Sequence, residues 1–216
     1  KISANGLAGA GGSDGDSYNN NVAASGGGGG SGGSVLITAS RVLGEGTIEA
    51  NGGVGGGRGR NSYNNVYGKY GGGGGGGRLA LHASASLSST VVLSAIGGTT
   101  GGSGAEAAAA GTIYSAVSGN RTLLVDNTPT TALTSVGRVT IPASGSALLS
   151  LDTLRVINSL VSINCPVTAA TVRATGSTIS AAHNVQGTRL LASSTTWTMS
   201  APLSVTNLTL DQSTWS

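Results

Sequence analysis

The C-terminal third of the chain repeats every 18 residues, and this period constrains the fold more than any other feature of the sequence. One short copy cannot bury its apolar side chains alone, so successive copies must stack on one another. Stacking brings residues that are one period apart into columns. Two of these columns are apolar, and their members are Leu154, Val172, Leu190 and Leu208 in one and Val161, Ile179, Trp197 and Trp215 in the other.

Each copy has the residue pattern of short β-strands. Apolar side chains recur at every second position, as at Leu154 and Val156, which places them on one face of a strand. Turn-compatible residues such as Asn158 and Gly176 divide the copies into short strands. The sequence therefore predicts an all-β protein, a parallel β-solenoid (β-helix), with regular coils of 16–18 residues over residues 111–216.

Residues 1–110 carry a longer repeat of about 45 residues. The octapeptide that starts at Gly32 returns in related form 44 residues later at Gly76, and the motif Ile-x-Ala-Asn-Gly returns after 46 residues. Of the 39 glycines in the chain, 33 lie before residue 105, mostly between the repeated strand motifs. We therefore expect one continuous solenoid whose N-terminal coils each carry a long glycine-rich loop insertion.

The glycine-rich loops allow two interpretations. One is a flexible linker, because glycine loses more conformational entropy on ordering than any other residue. The other is a stack of extended, polyproline-II-like segments, in which only glycine lets backbones approach closely, as in collagen. A repeated Tyr-Asn-Asn motif favours the stack, since a linker has no reason to repeat it. The residues that could contact a sugar or a neighbouring subunit, or pin each loop to its own coil, are Tyr18, Asn19, Asn20, Tyr63, Asn64, Asn65, Tyr67 and Tyr70.

These units resemble those of large secreted repeat proteins. Gly-Gly-Ser-Val-Leu-Ile-Thr-Ala, Gly-Thr-Ile-Glu-Ala-Asn-Gly-Gly, the glycine runs and Arg-Leu-Ala-Leu at 78–81 are similar to glycine-rich units of bacterial giant adhesins and of extracellular proteins of protists and algae. The C-terminal coils resemble the β-helices of pectin-lyase-like proteins and autotransporter passengers. The resemblance implies an adhesin stalk, surface fibre or flagellar hair outside the cell, and it carries no catalytic residues onto this chain.

Residues that could carry chemistry are sparse. Only 9% of the residues are charged, and the net charge of +3 comes with no dense basic cluster that would favour nucleic acid. Asp126, Asp152 and Asp211 share no column, whereas glycoside hydrolysis needs two carboxylates close together. His183 follows the one cysteine, Cys165, by a single period, and two ligands are too few for a structural zinc site. We therefore expect no enzymatic activity, cofactor or metal, and the apolar runs are too short to span a membrane.

The expected function is structural. We expect a component of an extracellular filament or cell-surface stalk that associates with itself through open solenoid ends and glycine-rich loops. Neither end of the chain has an obvious polar cap, so more solenoid is expected beyond both ends. A carbohydrate-binding or adhesin module of a larger surface protein is the alternative, and it would show an exposed stripe of aromatic residues among Tyr18, Tyr63, Tyr67, Trp197 and Trp215. A polysaccharide-active β-helix enzyme is a further alternative. Asn120 and Asn207 each begin an N-glycosylation sequon.

Overall fold

The structure is a computed structural model, and it describes residues 1–14, 23–61, 65–128, 138–141 and 148–216. These residues form 18 β-strands and contain no α-helix, which confirms the prediction of an all-β chain. The strands are, in chain order, β1 (Ile2–Ser3), β2 (Ser34–Val42), β3 (Gly46–Glu49), β4 (Arg60–Asn61), β5 (Val66–Tyr67), β6 (Arg78–Leu87), β7 (Val91–Ser94), β8 (Thr112–Val117), β9 (Asn120–Asp126), β10 (Arg138–Ile141), β11 (Leu149–Ile157), β12 (Leu160–Ile163), β13 (Val167–Thr175), β14 (Thr178–Ala181), β15 (Val185–Ser193), β16 (Thr196–Met199), β17 (Leu203–Asp211) and β18 (Thr214–Trp215).

The strands form several sheets, which are mostly parallel. The largest has eight strands in the order β17-β15-β13-β11-β9-β8-β6-β2, and a second has five in the order β10-β12-β14-β16-β18. A three-stranded sheet has the order β1-β3-β7, and β4 pairs with β5 alone. From β10 to β18, successive strands alternate between the five-stranded and the eight-stranded sheet, so the chain returns to each sheet once per repeat.

The 18-residue period sets the register from β11 to β17 in the eight-stranded sheet and from β12 to β18 in the five-stranded sheet. The column that begins at Leu154 runs across four strands of the eight-stranded sheet. The column that begins at Val161 does the same in the five-stranded sheet, and the two columns share one core. Their fully buried members are Leu154, Val172, Leu190, Val161, Ile179 and Trp197. Burial of one such aliphatic side chain contributes about 1.5–3 kcal/mol relative to exposure.

The last member of each column departs from the expectation of a buried core. Leu208 on β17 is 50% exposed, and Trp215 on β18 is 38% exposed. Both residues lie on edge strands, which pair with one neighbouring strand only. Trp215 stacks on Trp197 with 5.3 Å between the ring centroids, so its other face lacks a comparable neighbour. A column that is buried inside the sheets therefore becomes exposed where the sheets end.

A column of small hydroxyls stabilises the turns between the two large sheets. Ser159, Ser177 and Thr195 are buried, and each hydroxyl donates a hydrogen bond to the backbone carbonyl two residues earlier. The Ser177 hydroxyl also accepts the backbone N–H of Ser159 at 3.3 Å. Buried polar groups need such partners. This repeated column is therefore explained by the fold.

One antiparallel hairpin interrupts the parallel series of the eight-stranded sheet. β8 and β9 pair antiparallel, with Val117 opposite Asn120. Ser118 and Gly119 form the turn between them, and their φ angles are +49° and +84°. Two consecutive positive φ angles give the hairpin turn whose twist matches that of the strands. The strand direction therefore reverses at this hairpin, between the strands linked by glycine loops and the strands of the 18-residue repeats.

The glycine-rich loops consist of extended segments that lie side by side in two layers, which we call the glycine bundle. Each loop folds back on itself, so its outgoing segment lies in one layer and its returning segment in the other. The segments are g1 (4–13), g2 (24–33), g3 (50–59), g4 (68–77), g5 (95–101) and g6 (106–111). Neighbours within a layer run parallel, and the two segments of one loop run antiparallel.

Hydrogen bonds between these segments recur at every third residue. The backbone N–H groups of g1 donate to carbonyls of g3 in the pairs Gly6–Asn51, Gly9–Val54 and Gly12–Gly57, each at 2.8 Å. Three residues per turn is the period of a polyproline-II helix, which has no internal hydrogen bonds and leaves its N–H groups for neighbours. Bonds between g2 and g4 follow the same period. The glycine runs therefore form hydrogen-bonded layers, and the flexible-linker interpretation does not describe them.

Asparagine side chains join the strands to the glycine bundle. Asn5 Oδ1 accepts the backbone N–H of Asn51, and Asn51 Oδ1 accepts that of Ile96 one repeat later. Asn127 ends the series, because its Oδ1 accepts the N–H of Gly97 and its Nδ2 donates to a carbonyl of g6. The Asn127 side chain is buried. The repeated Ala-Asn-Gly motif thus has a structural cause, and Asn127 closes the g5–g6 side of the bundle.

We expect Asn127→Leu to lower the free energy of unfolding by about 1–3 kcal/mol, because a buried N–H and a partly buried carbonyl lose their partner. Asn184→Leu is the control, since Asn184 is exposed. Chemical denaturation of both variants measures the two changes. Equal destabilisation by the two substitutions would contradict the assigned role of Asn127.

Candidate assembly interfaces

The glycine bundle is open on the side of g1 and g2. Inside the bundle, a parallel neighbour donates an N–H to every third carbonyl of g3 and g4. The carbonyls at the same positions one repeat earlier receive no backbone hydrogen bond from any described residue. They belong to Asn5, Ala8 and Gly11 in g1 and to Ser25, Gly28 and Ser31 in g2, all of which are exposed. This face presents two rows of acceptors with the spacing that another pair of glycine segments would need.

Apolar side chains are exposed at the same end of the molecule. Ile2 of β1 is 50% exposed, although Ile48, its partner on β3, is 4% exposed. Leu7 of g1 is 83% exposed, and Leu43 after β2 is 70% exposed. Because Ile2 and Ile48 occupy the same column, the exposure of Ile2 follows from the edge position of β1.

An ion pair lies at the edge of the three-stranded sheet. Lys1 Nζ is 2.9 Å from Glu49 Oε2, which also accepts a hydrogen bond from Asn5 Nδ2. The bonds from Lys1 and Asn5 hold the pKa of Glu49 below its usual value. Because this pKa is lower in the folded protein, the carboxylate stabilises the fold above its unfolded-state pKa. That contribution is lost as the pH falls through the folded-state pKa.

We expect Glu49→Gln to lower the free energy of unfolding at neutral pH by at most about 1 kcal/mol, because the Lys1 side chain is 60% exposed and solvent screens its charge. Below the folded-state pKa of Glu49, wild type and variant should be equally stable. Denaturation at both pH values measures the difference, with Glu45→Gln as the control for an exposed carboxylate outside the pair. A difference that persists unchanged in acid would refute this assignment.

The second open edge is formed by β17 and β18. Leu208, Leu210 and Trp215 are 50%, 44% and 38% exposed. The residues in the same columns on β15 and β16 are at most 3% exposed. Beneath this edge, the indole N–H of Trp197 is buried and has no hydrogen-bond partner among the described residues. An edge strand with an apolar inner face is a template for pairing with another strand.

Part of the repeated tyrosine motif falls outside the described residues, namely Tyr18, Asn19, Asn20, Tyr63 and Asn64. Tyr67 and Tyr70 are described, and both rings contact the Arg58 guanidinium. Asn65 accepts a hydrogen bond from Arg60. Sequence reasoning missed the two arginines as partners of the tyrosines. The β4–β5 hairpin places the Arg-Gly-Arg motif opposite the Val-Tyr motif. A search for short arginine and tyrosine motifs on the two sides of a turn could have identified these contacts.

The two sequon asparagines are exposed. Asn120 is the first residue of β9 and follows the hairpin turn, and Asn207 lies on the edge strand β17. Asn207 pairs with Arg189, which is also exposed, so its side chain points away from the core. Glycosylation at either site stays a prediction.

The acidic residues singled out from the sequence do not meet. Asp126 ends β9 and Asp211 ends β17, and three strands separate them in the sheet. At about 4.8 Å per strand they are about 19 Å apart, beyond the separation that a pair of glycosidase carboxylates needs. Asp152 is bound to Arg121 instead, with its Oδ2 accepting the Arg121 backbone N–H at 2.7 Å. This trio cannot form one hydrolytic site.

The Cys165 and His183 pair has no catalytic arrangement. Cys165 is buried in the core, and burial raises the pKa of its thiol, so the reactive thiolate is disfavoured. His183 occupies the same column on the neighbouring coil and is exposed. Within the part of the chain that the structure describes, no three His, Cys, Asp or Glu side chains are placed to hold a metal ion. The same residues include no α-helix that could cross a membrane.

Comparisons of the chain with protein-family models, with curated proteins and with solved structures give no match. Function therefore has to be inferred from the geometry of the chain itself. Its most distinctive surfaces are the two open edges, at β1, β2, g1 and g2 on one side and at β17 and β18 on the other.

Proposed function

We propose that this chain is a parallel β-solenoid that serves as a structural segment of an extracellular filament or cell-surface stalk. In this proposal the two large sheets and the three-stranded sheet are faces of one stack of coils, and the glycine bundle is formed by loops of the N-terminal coils. The alternation of β10 to β18 between two sheets supports it, as does the 18-residue parallel register. The secreted-repeat character of the glycine-rich units supports the extracellular setting.

One observation carries the proposal of end-to-end self-association. The same apolar columns that are buried inside the sheets are exposed at the edges, as a comparison of Leu190 at 0% with Leu208 at 50% shows. At the opposite edge, g1 and g2 present rows of carbonyls without a parallel neighbour. The equivalent carbonyls of g3 to g6 accept backbone N–H groups from the segment one repeat earlier. A further coil would cover both kinds of surface. Between two copies of this chain its strands would pair antiparallel with the edge, because the β8–β9 hairpin reverses the strand direction.

Such a stack has mechanical consequences. Each added coil pairs its backbone along whole strands, so cohesion relies on hydrogen bonds and apolar burial and needs few charges. The bundle adds a second set of hydrogen bonds at one side of the strands, because g1 to g6 repeat in step with β1 to β8. A rod built in this way is stiff along its axis, which suits a stalk or filament.

A charge placed inside the edge column tests the proposal. Leu210→Asp puts a carboxylate where the next coil would pack, while Leu210 is already 44% exposed, so folding of the single chain should survive. We expect wild type to form assemblies larger than one chain that grow with concentration. The variant should sediment as single chains under the same conditions.

Ser204→Asp is the matched control, because Ser204 lies on the same edge strand and is exposed. It should assemble like wild type. Sedimentation velocity over a wide concentration range distinguishes the outcomes. The proposal is contradicted if wild type sediments as single chains at every concentration. It is also contradicted if both variants lose assembly equally.

A further inference from the structure

The tip of the second glycine loop carries a stack of arginine and tyrosine side chains. Arg58 Cζ lies 4.2 Å from the ring centroid of Tyr67 and 4.7 Å from that of Tyr70. Arg60 Cζ lies 5.7 Å from the Tyr67 centroid. A guanidinium that stacks on a ring keeps its in-plane N–H groups available as donors. Arg58 is exposed, so these donors are accessible from solvent.

The stack is held in place by the bundle beneath it. A Cβ on Gly102 would lie 2.4 Å from Cε1 of Tyr70, so the Tyr70 ring rests directly on the backbone of the next loop. Arg60 is fixed at two points, since its backbone N–H donates to Asp14 Oδ1 at 2.8 Å and its Nη2 donates to Asn65 Oδ1 at 2.9 Å. Side chains that are already ordered lose less entropy when they bind a ligand.

The tip has an excess of positive charge. Arg58, Arg60 and Lys69 are exposed, and none of them forms an ion pair with a carboxylate of the described residues. Asp14 touches the stack, but it accepts from a backbone N–H and not from a guanidinium. One cation would be enough to tie Tyr67 to Tyr70. Arg60 also packs within the tip, against Tyr67 and Asn65. Lys69 is therefore the cation that these contacts do not explain.

We propose that this tip binds an acidic polysaccharide through its carboxylate or sulfate groups. The planar guanidinium fork of Arg58 matches the two oxygens of such a group. Arg58 stacks on the Tyr67 ring, and the residue is still 42% exposed, so part of its apolar surface is left for a sugar. Duplex nucleic acid fits less well, because its affinity depends on many phosphate contacts and the tip holds three described cations.

This inference rests on the proposed function in one respect, because a tip repeated along an extracellular filament multiplies a weak contact into a strong one. Its test is separate from that of self-association. The whole protein is titrated in separate experiments with polygalacturonate, which carries carboxylates, and with heparin, which carries sulfates. Neutral glucan and duplex DNA are the reference polymers, and each titration is run at low and at physiological salt.

We expect at least one acidic polysaccharide to bind tenfold or more tightly than neutral glucan, and the stronger of the two identifies the recognised group. Arg58→Gln should weaken that binding about tenfold. Arg58→Lys should weaken it several-fold, because an ammonium cannot form the two-pronged contact. Arg155→Gln, which removes the same charge from an exposed site on β11, should change it less than twofold.

Circular dichroism and sedimentation of Arg58→Gln should match wild type, which separates a failed binding site from failed folding or assembly. Equal losses in Arg58→Gln and Arg155→Gln would show a general charge effect and overturn the proposal. Binding of neutral glucan as tight as that of both acidic polymers would also overturn it. So would tighter binding of duplex DNA than of either acidic polysaccharide.

Discussion

Substitution Gly74→Ala should lower the free energy of unfolding by about 3 kcal/mol or more, because the new methyl group meets backbone that cannot yield. A Cβ on Gly74 would lie 2.0 Å from the carbonyl oxygen of Gly30. That oxygen accepts the N–H of Gly53, and the N–H of Gly74 donates to the carbonyl of Gly53 in turn. Any shift that makes room for the methyl group therefore breaks hydrogen bonds across both layers of the bundle.

Gly75→Ala is the matched control for this prediction. Gly75 is the next residue of the same glycine run, and a Cβ there would meet no atom within 4 Å. Its substitution should be neutral or stabilise the protein by about 0.4–1 kcal/mol, because alanine reduces the entropy of the unfolded chain. Chemical denaturation of the two variants compares them directly. Similar effects at both positions would mean that g4 is not packed between its neighbours.

The second large effect is expected in the main core, where Leu190→Ala should cost about 2–5 kcal/mol of unfolding free energy. Leu190 is 0% exposed and lies between Val172 and Leu208 in its column. Removing its side chain leaves a cavity among residues of both large sheets. The loss therefore includes a cavity contribution in addition to the lost burial.

Leu208→Ala is the same substitution in the same column, one coil further along. Because Leu208 is 50% exposed, we expect it to cost about 1 kcal/mol in single chains. Under assembling conditions its effect should grow, since a neighbouring coil would then bury the side chain. Denaturation below and above the concentration at which chains associate measures this dependence. Equal costs for the two leucines in single chains would contradict the edge position of β17.

The parallel strands of the 18-residue repeats were the most predictable part of the fold. Exact columns such as the one from Leu154 to Leu208 predict parallel pairing, because only in-register stacking brings the same position of every copy together. The β8–β9 hairpin was not predicted. Its Ser118-Gly119 turn is a local signal of two residues, and the periodic pattern around it suggested another parallel coil.

The glycine bundle was predictable only as one of two alternatives. Composition alone suits a linker as well as a stack, because both need residues with little side chain. The distinction depends on hydrogen bonds between residues far apart in sequence, such as Gly9 with Val54. Likewise, the fit of Arg58 between Tyr67 and Tyr70 depends on how the loop tip folds back, which no local spacing reports.

Cryo-electron microscopy of assembled wild-type protein tests the central claim most directly. Coils stacked end to end should give filaments one solenoid wide, with a repeat of about 4.8 Å along the filament axis from the parallel strands. The glycine bundle should recur along the filament once per chain, separated by the strands of the 18-residue repeats. Isolated globular particles, or filaments whose strands run parallel to the axis, would contradict end-to-end stacking of this chain.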